Sequence, residues 1–522
     1  MRRIVFLTIV AWLALLATSL PAQDGRQRGD RRGGRAGQDG ARRGLPAPTS
    51  LLAAMKLEDL SIILGQPADR SITVNVLSAD AREGFIEYGL ANGMYTSKTD
   101  VVKLSAGTPV EMRLDGLDRD KQYFYRLQHR KTGDAAFVAG DEHGFHTQRA
   151  PGSGFVFEIQ GDSHPERPQQ FDSALYAQTL QAAAADRPDF YMTIGDDFSV
   201  DALHEITAET VAGRYTLQRP FLSLVAQSSP LFLVNGNHEQ AALCNLDGSD
   251  NNVAVWAQNA RNMFFPQPAP DGFYTGDAKP IEHVGLLRDY YAWTWGDALF
   301  VVIDPYWHSA KPVDNVLGGG DKSRDMWAVT LGEQQYRWFK ATLESSRSRY
   351  KFVFTHHVLG TGRGGIEQAG LFEWGGKNKR GENEFARNRP GWESPIHQLM
   401  ARNGVTIFFQ GHDHVFVRQT LDGVIYQTLP DPANAFYSLE NKDAYRSGDI
   451  LPNSGRVRVT VGPEKVRVEY VRSYLPKDAT QEHPDGEVAF SYEIPASRTA
   501  TPSAHATSAP ASGPGSVPRT GG

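Results

Sequence analysis

The chain has 522 residues, a mass of 57.6 kDa and a formal net charge of −6. Residues 1–44 carry +6 and residues 495–522 carry +2, which leaves −14 for residues 45–494. This central stretch is long enough for two or three domains, and 40% hydrophobic residues in the whole chain exclude wholesale disorder. Its acidity argues against a specific nucleic-acid partner. A single cysteine, Cys244, excludes a disulfide framework and a thiolate metal cluster.

Residues 1–22 are typical of a secretory signal peptide. Arg2 and Arg3 precede an apolar run at 4–16 that is too short to span a bilayer comfortably, and small residues suited to cleavage follow. An uncleaved N-terminal anchor is the alternative. No other stretch is apolar enough for a transmembrane span, so we expect none after signal removal. Because disulfides are excluded, we predict a bacterial protein that is periplasmic or secreted.

Both ends of the mature chain are predicted to lack a fold. Residues 23–49 form a linker, because their first 22 residues include seven Gly and seven Arg and cannot bury apolar surface. Contact of this basic segment with an anionic polymer or lipid is the alternative. Residues 495–522 are rich in Ala, Ser, Thr, Pro and Gly, which predicts a disordered tail.

Residues 50–150 are predicted to form a β-sandwich. Apolar and polar residues alternate at 71–76, and several short strand patterns follow without a long helical period. Tyr123 lies six residues after Leu117, a spacing typical of a tyrosine corner, in which the phenol ties down the chain between two sheets. We predict no catalytic residue in this segment.

Residues 151–494 contain five apolar stretches that are each followed by polar side chains of metal-binding type. The stretches alternate with helical segments, which predicts an α/β sheet with its site at the carboxyl ends of the strands. Strands at 456–461 and 465–470 are predicted to complete a second sheet. The polar groups are Asp162 with His164, Asp196 with Asp197, Asn237 with His238 and Glu239, His356 with His357, and His412 with His414.

The chemistry of these side chains is coherent. Carboxylate and amide oxygens together with imidazole nitrogens suit Zn, Mn, Fe or Co better than a calcium cage. The spacing of Asp162 and His164, like that of His412 and His414, places both side chains on one side of an extended segment. Each motif alone is weak evidence, but five in order behind five strands make a chance match implausible.

This set of motifs resembles the calcineurin-like metallophosphoesterase superfamily, whose pattern is DxH, GD, GNH[ED], a strand-terminal His and GHxH. Residues 50–150 resemble the fibronectin type III-like N-terminal domain of purple acid phosphatases, through the strings IEYG, LDGLDRDKQYFYRL and FHT. The resemblance implies a two-domain chain of mixed α+β and α/β class. An N-terminal β-sandwich precedes a four-layer α/β/β/α metallophosphoesterase domain at 151–494.

The resemblance also implies a role for each matching residue. A first metal ion is held by Asp162, His164, Asp196 and His414, and a second by Asn237, His356, His412 and the bridging Asp196. The ions are Fe, Zn or Mn. The catalytic residues are Asp196 and His238, which assists the leaving group while a metal-bridging hydroxide attacks phosphorus. His356 is preferred to His357 because it ends the string VFTH, and Glu239 is expected to orient its neighbours.

Two departures separate the chain from the purple acid phosphatases. Those enzymes have DxG and GDxxY, and the Tyr ligates iron and gives the colour. Here His164 completes DxH, and Ser199 stands where that Tyr would be. We therefore predict a colourless enzyme. Asp197 beside Asp196 is unusual, and a hydrogen bond from it to a metal ligand is expected.

Substrate contacts are less well defined by the sequence. A Gly-rich basic loop between His356 and His412 supplies Arg363, Lys377 and Arg380 as candidates for phosphate binding, and a solvated loop is an equally good interpretation. Tyr306 and His308 are weaker candidates.

The sequence therefore predicts an exported, dinuclear metal-dependent phosphohydrolase. A phosphomonoesterase is preferred because of the purple-acid-phosphatase-like architecture, with a small phosphate ester as substrate. The alternatives are a phosphodiesterase on nucleotides or lipid head groups and a non-catalytic metal-binding surface module. The oligomeric state stays open.

Overall fold

The computed structural model describes residues 59–239, 246–309, 325–359 and 362–496. The predicted signal peptide and linker, nearly all of the predicted tail and Cys244 lie outside these residues. Within the described ranges, no helix combines the length and the apolar character that crossing a bilayer requires.

From residue 59 onward, nine strands of the N-terminal region form two antiparallel sheets. In chain order they are β1 (Leu60–Gly65), β2 (Ile72–Ser78), β3 (Arg82–Gly89), β4 (Ser97–Lys98), β5 (Val102–Leu104), β6 (Val110–Leu114), β7 (Gln122–Lys131), β8 (Val138–Ala139) and β9 (His143–His146). Strands β1, β2 and β6 form a three-stranded sheet, and the other six form the second sheet around the long β3–β7 pair.

The two N-terminal sheets enclose one apolar core. Val74 on β2, Ile86 on β3 and Tyr125 on β7 are fully buried in it. The hydroxyl of Tyr123 accepts a 2.8 Å hydrogen bond from the backbone NH of Asp118, as expected for a tyrosine corner. The predicted β-sandwich is therefore confirmed.

The second region alternates strands and helices before it ends in antiparallel strands. In chain order its elements are β10 (Phe155–Gln160), α1 (Ser173–Ala185), β11 (Phe190–Thr193), α2 (Ala208–Ala226), β12 (Leu231–Leu233), α3 (Val253–Phe264), β13 (Thr275–Gly276), β14 (Tyr291–Trp295), β15 (Ala298–Val302), α4 (Gly332–Ser345), β16 (Tyr350–Phe354), α5 (Ile366–Ala369), α6 (Phe372–Gly375), α7 (Phe385–Asn388), α8 (Ile396–Arg402), β17 (Ile407–Gln410), β18 (Phe416–Leu421), β19 (Val424–Thr428), β20 (Asp449–Leu451), β21 (Gly455–Val461), β22 (Lys465–Arg472) and β23 (Val488–Pro495).

These elements form four layers. A six-stranded sheet of order β12-β11-β10-β21-β22-β23 faces an eight-stranded sheet of order β13-β14-β15-β16-β17-β19-β18-β20. Aromatic side chains join the facing sheets, as where the rings of Phe157 and Phe300 lie 5.2 Å apart, edge to face. Helices α1 to α3 pack on the outside of the first sheet, and α4 and α8 on the outside of the second. The predicted α/β/β/α architecture is confirmed.

One expectation about the sheets needs correction. The strands expected to complete a second sheet, β21 and β22, belong to the same sheet as β10 and follow it directly, with β21 antiparallel to β10. Their alternating pattern specifies that they are strands, but their partner is decided by contacts that are distant in the sequence.

Candidate metal centre

The seven predicted metal ligands lie at one edge of the catalytic domain. Strands β10, β11 and β12 run parallel in one sheet, and β16 and β17 run parallel in the other. Their carboxyl ends carry Asp162 with His164, Asp196, Asn237, His356, and His412 with His414. Each of the seven is between 0% and 8% exposed. The fold therefore gathers residues from five separate loops into one buried cluster, while metal binding by them stays a prediction.

The backbone of these loops is held in an uncommon conformation. His164, Asp196, His412 and His414 all have φ between 43° and 68°, the left-handed region that non-glycine residues rarely adopt. Such residues cost free energy and persist where the surrounding structure enforces them, often at functional sites.

Two glycines allow the carboxylates to approach the backbone of neighbouring loops. A Cβ at Gly236 would lie 2.1 Å from Oδ1 of Asp196, and one at Gly411 would lie 2.3 Å from Oδ1 of Asp162. Any side chain at either position would displace a carboxylate. Glycine at these two positions is thus required by the close approach of the carboxylates.

One set of donor atoms surrounds the amide of Asn237. Its Oδ1 lies 3.0 Å from Nε2 of His356 and 2.9 Å from Nδ1 of His412. Nε2 of His356 also lies 3.0 Å from Oδ2 of Asp196. Two imidazole nitrogens, an amide oxygen and a carboxylate oxygen therefore face one another, which is a donor set suited to a divalent transition-metal ion.

A second set lies on the other side of Asp196. Nε2 of His414 is 3.2 Å from Oδ2 of Asp162, and Nε2 of His164 is 3.6 Å from Oδ2 of Asp196. Nε2 of His164 is buried and has no hydrogen-bond partner among the described residues. A buried imidazole nitrogen of this kind, facing the Asp196 carboxylate, fits a metal ligand well.

The opposite ring nitrogens of these histidines have partners outside the cluster. Nδ1 of His356 lies 2.9 Å from the carbonyl oxygen of Ile194, to which it donates, so the lone pair of the neutral ring is on Nε2. Nδ1 of His164 lies 2.8 Å from Oε1 of Glu166. Such contacts fix the ring orientation and the tautomer of metal-binding histidines.

The electrostatics of the cluster indicate a need for positive charge. Burial opposes ionisation of Asp196, yet the neighbouring His356 and His238 hold its pKa well below the usual range. Burial likewise opposes protonation of His356, but Asp196 and Asp162 raise its pKa to about 10. Buried carboxylates are stable when paired with cations, and divalent ions meet that need without protonating the ligands.

His238 lies at the mouth of the cluster, where its side chain is 18% exposed. Its Nδ1 is 2.7 Å from Oδ2 of Asp201, and its Nε2 is 3.1 Å from Nη2 of Arg167. Nε2 also lies 3.9 Å from Oδ2 of Asp196. Sequence reasoning missed Asp201 and Arg167, since both come from loops with no motif of their own.

Three neighbouring residues support the loops. The Glu239 carboxylate accepts hydrogen bonds from the backbone NH groups of Asp196 and Asp197, among others, so it orients the β11 loop. Asp197 accepts from Ser163 at 2.7 Å rather than from a predicted metal ligand. His357 contacts the Tyr306 hydroxyl through Nδ1 at 2.9 Å and stacks on His412, with ring centroids 4.9 Å apart.

The three candidates for substrate binding are placed differently from one another. Nη1 of Arg363 lies 3.0 Å from Oδ1 of Asp413, so this side chain sits beside the loop that carries His412. Lys377 is exposed, and Arg380 is exposed and paired with Glu382 at 3.1 Å. In the described part of the chain neither forms a hydrogen bond or ion pair with the seven clustered residues.

Comparison with known proteins agrees with this geometry. A sequence model of the calcineurin-like phosphoesterase family matches residues 155–416. A solved structure of PhoD aligns at 13% identity over 84% of this chain and 90% of its own, with a TM-score of 0.58. A purple acid phosphatase from yellow lupin (Lupinus luteus) seeds aligns at 18% identity over 83% and 74%, with a TM-score of 0.51. These two likenesses show the fold. No curated protein matches the sequence.

Proposed function

The chain belongs to the calcineurin-like phosphoesterase family, and from this we propose that it is an exported phosphomonoesterase that uses two metal ions. The enzyme class follows from the family. The number of ions, the ester that is cleaved and the export are our proposals.

The position of Asp196 is the observation that carries the two-metal proposal. Oδ2 of Asp196 lies 3.0 Å from Nε2 of His356 in one donor set and 3.6 Å from Nε2 of His164 in the other. One carboxylate oxygen is thus shared by two groups of histidines, as a bridging ligand requires. The mixture of nitrogen and oxygen donors supports Fe, Zn or Mn.

Two divalent ions, when bound, supply charge neutralisation at the phosphoryl group and lower the pKa of bound water. The protein's own residues then have distinct tasks. His238 transfers a proton from Nε2 to the leaving oxygen. Asp201 holds the ring of His238 through Nδ1 and stabilises its protonated form.

Arg167 supports a monoester as the substrate. Its side chain is 32% exposed, and its Nη2 lies 3.1 Å from Nε2 of His238, on the side of the cluster where the phosphoryl group would bind. A phosphate monoester carries one more negative charge than a diester, and an arginine fork binds that charge through two parallel hydrogen bonds. Export is supported by the sequence of residues 1–22 alone.

A comparison of two chromogenic esters tests the proposal. The purified protein, stripped of metal and reconstituted with Mn, Zn or Fe, is assayed with p-nitrophenyl phosphate and with bis(p-nitrophenyl) phosphate. We expect a higher kcat/KM for the monoester. A preference for the diester would establish the phosphodiesterase alternative, and no turnover of either ester under any metal would overturn the proposal.

A further inference from the structure

A second cluster of metal-binding side chains lies outside the candidate metal centre. Asp277, Asp289 and His308 each offer one ligand atom, and these atoms all lie within 4.8 Å of one another. None of the three belongs to the seven clustered residues described above. Asp277 and Asp289 are 3% and 0% exposed, whereas the His308 side chain is 20% exposed and gives the cluster access to solvent.

The edge of the eight-stranded sheet builds this cluster. Strand β13 pairs with β14, and the backbone NH of Asp277 donates to the carbonyl of Tyr290 at 3.2 Å. Asp289 directly precedes Tyr290, and His308 lies in the loop after β15. A Cβ at Gly332 would lie 3.3 Å from Cβ of His308, so a glycine with φ of +72° gives the histidine room.

One buried oxygen in the cluster lacks a partner. Oδ2 of Asp289 lies 3.0 Å from Nε2 of His308, but its Oδ1 is buried without a hydrogen-bond partner among the described residues. Oδ1 of Asp277 accepts from the backbone NH of Lys279 at 2.9 Å. A buried carboxylate oxygen with no protein donor is normally satisfied by a bound water or a bound ion.

The buried carboxylates around His308 also favour a bound cation. Asp304 is a third buried carboxylate close to Asp289, and burial together with the Asp289 charge raises the pKa of Asp304 to about 6. Its oxygens accept hydrogen bonds from Asn235 and from the backbone of Tyr306. His308 is the cation that faces these buried carboxylates, and Lys279, two residues after Asp277, is exposed.

We propose that Asp277, Asp289 and His308 bind a further divalent transition-metal ion, independent of the candidate metal centre. Two carboxylates and one imidazole suit Zn²⁺ or Mn²⁺, with water completing the coordination. The ion ties the β13–β14 edge to the loop after β15, which also carries Tyr306. The competing explanation is a metal-free ion pair in which protonated His308 bonds Asp289.

Metal counting in variants tests this site. Metal-free protein is reloaded with Zn²⁺, dialysed and measured by inductively coupled plasma mass spectrometry. The H308Q substitution replaces a partly exposed ligand, and we expect it to remove one zinc per chain. The exposed His283 supplies the matched control, because its ring contacts the backbone of Gly248 and H283Q should leave the zinc count unchanged.

A double variant that lacks the candidate metal centre distinguishes failure of this inference from failure of the proposed function. In the D196N/H412A double variant the candidate metal centre is disabled, and we expect one zinc to remain. That zinc should be lost when H308Q or D289N is added. An unchanged count on adding H308Q to either parent would overturn the proposal. Should the variants fail to fold, anomalous diffraction at the zinc edge decides, since absence of a peak between Asp289 and His308 in the unmutated protein also overturns it.

Discussion

The Asp201 carboxylate lies 2.7 Å from Nδ1 of His238, and this contact turns the other ring nitrogen toward Arg167. Burial lowers the pKa of His238, but Asp196 and Asp201 outweigh that effect and raise it above its usual range. A histidine whose pKa is raised holds its proton to higher pH, which suits the proposed role as a general acid. In the proposed mechanism, two residues from different loops therefore share one task.

Asp201→Asn tests this partnership. Loss of the carboxylate charge lowers the pKa of His238, so the alkaline limb of the kcat profile should shift to lower pH. We expect kcat to fall about 10- to 100-fold, as for other residues that orient a functional side chain. Because p-nitrophenolate leaves without much help from an acid, the loss should be larger for an alkyl phosphate. An equal loss for both esters would contradict the general-acid role.

His238→Ala should separate turnover from metal binding. For an alkyl phosphate we expect a loss of about 100-fold or more in kcat with the metal content unchanged, because the proposed role of His238 is to assist the leaving group rather than to hold a metal ion. Metal content is measured by mass spectrometry on the same preparations. Loss of metal from His238→Ala would indicate that His238 is a metal ligand and would contradict its proposed role at the leaving group.

Asp196→Ala should behave in the opposite way. Its oxygens face both donor sets, so we expect reduced binding of both ions and a complete loss of hydrolysis. His412→Ala should mainly reduce binding of the ion beside Asn237. Calorimetric titration of the metal-free variants with Mn²⁺ measures the two effects. Full metal binding by Asp196→Ala would exclude a bridging role.

Arg167→Ala should weaken recognition of the phosphoryl group. Removing a guanidinium next to Nε2 of His238 is expected to lower kcat/KM for a monoester about 10- to 100-fold, within the range for charge-assisted hydrogen bonds. Arg167→Lys keeps the charge without the fork and should recover only part of the loss. The ratio of monoester to diester activity should fall in both variants. An unchanged ratio would mean that Arg167 does not bind the additional negative charge of the monoester.

The sequence predicts most of the framework because its signals are local. A strand followed by glycine and a polar cluster identifies Asp162, Asp196 and His412 as candidate metal ligands, without any knowledge of the distances between them in the fold. The periodicity of Tyr336, Phe339 and Leu343 likewise predicts α4, in which all three are buried. These features depend on residues that are neighbours along the chain, so they can be read from it.

What the sequence misses depends on contacts between distant loops. Asp201 and Arg167 contact His238 only because the fold brings their loops together, from 37 and 71 residues away along the chain. Lys377 and Arg380 stand in a basic loop close to ligands in sequence, yet both are exposed. Their part in substrate binding therefore stays a prediction, because exposure alone does not show which loop cations contact a phosphate ester.

The iron-loaded protein should be colourless in the visible range. Ser199 stands where the purple enzymes have an iron-binding tyrosine, and its Oγ lies 3.3 Å from Nδ1 of His164. A hydroxyl in that place can support the imidazole but cannot give a tyrosinate-to-iron transition. Absorption spectra of the protein loaded with Fe³⁺ check this. A visible band that disappears when a tyrosine is replaced would show that another tyrosine has taken the position.

The Arg219→Ala substitution is expected to destabilise the β-sandwich and the catalytic domain together. Its buried guanidinium donates at 2.7 Å to Oγ of Ser61 on β1 and at 2.8 Å to the carbonyl of Asn75 on β2, although the residue itself lies on α2. Arg219→Ala would leave these acceptors without their donor. Hydrogen bonds to a charged group contribute about 1.5–3 kcal/mol each, so a loss of about 3 kcal/mol or more is expected.

Urea unfolding followed by fluorescence and circular dichroism measures this loss. The matched control is Arg337→Ala on α4, where the arginine is 74% exposed and pairs with Glu333 one turn away. Such surface pairs contribute about 0.3–0.5 kcal/mol, so the control should shift the midpoint only slightly. If Arg219→Ala were as mild as the control, the buried arginine would not couple the sandwich to the catalytic domain. A split of the transition into two steps would show instead that Arg219 is what makes the two domains unfold as one.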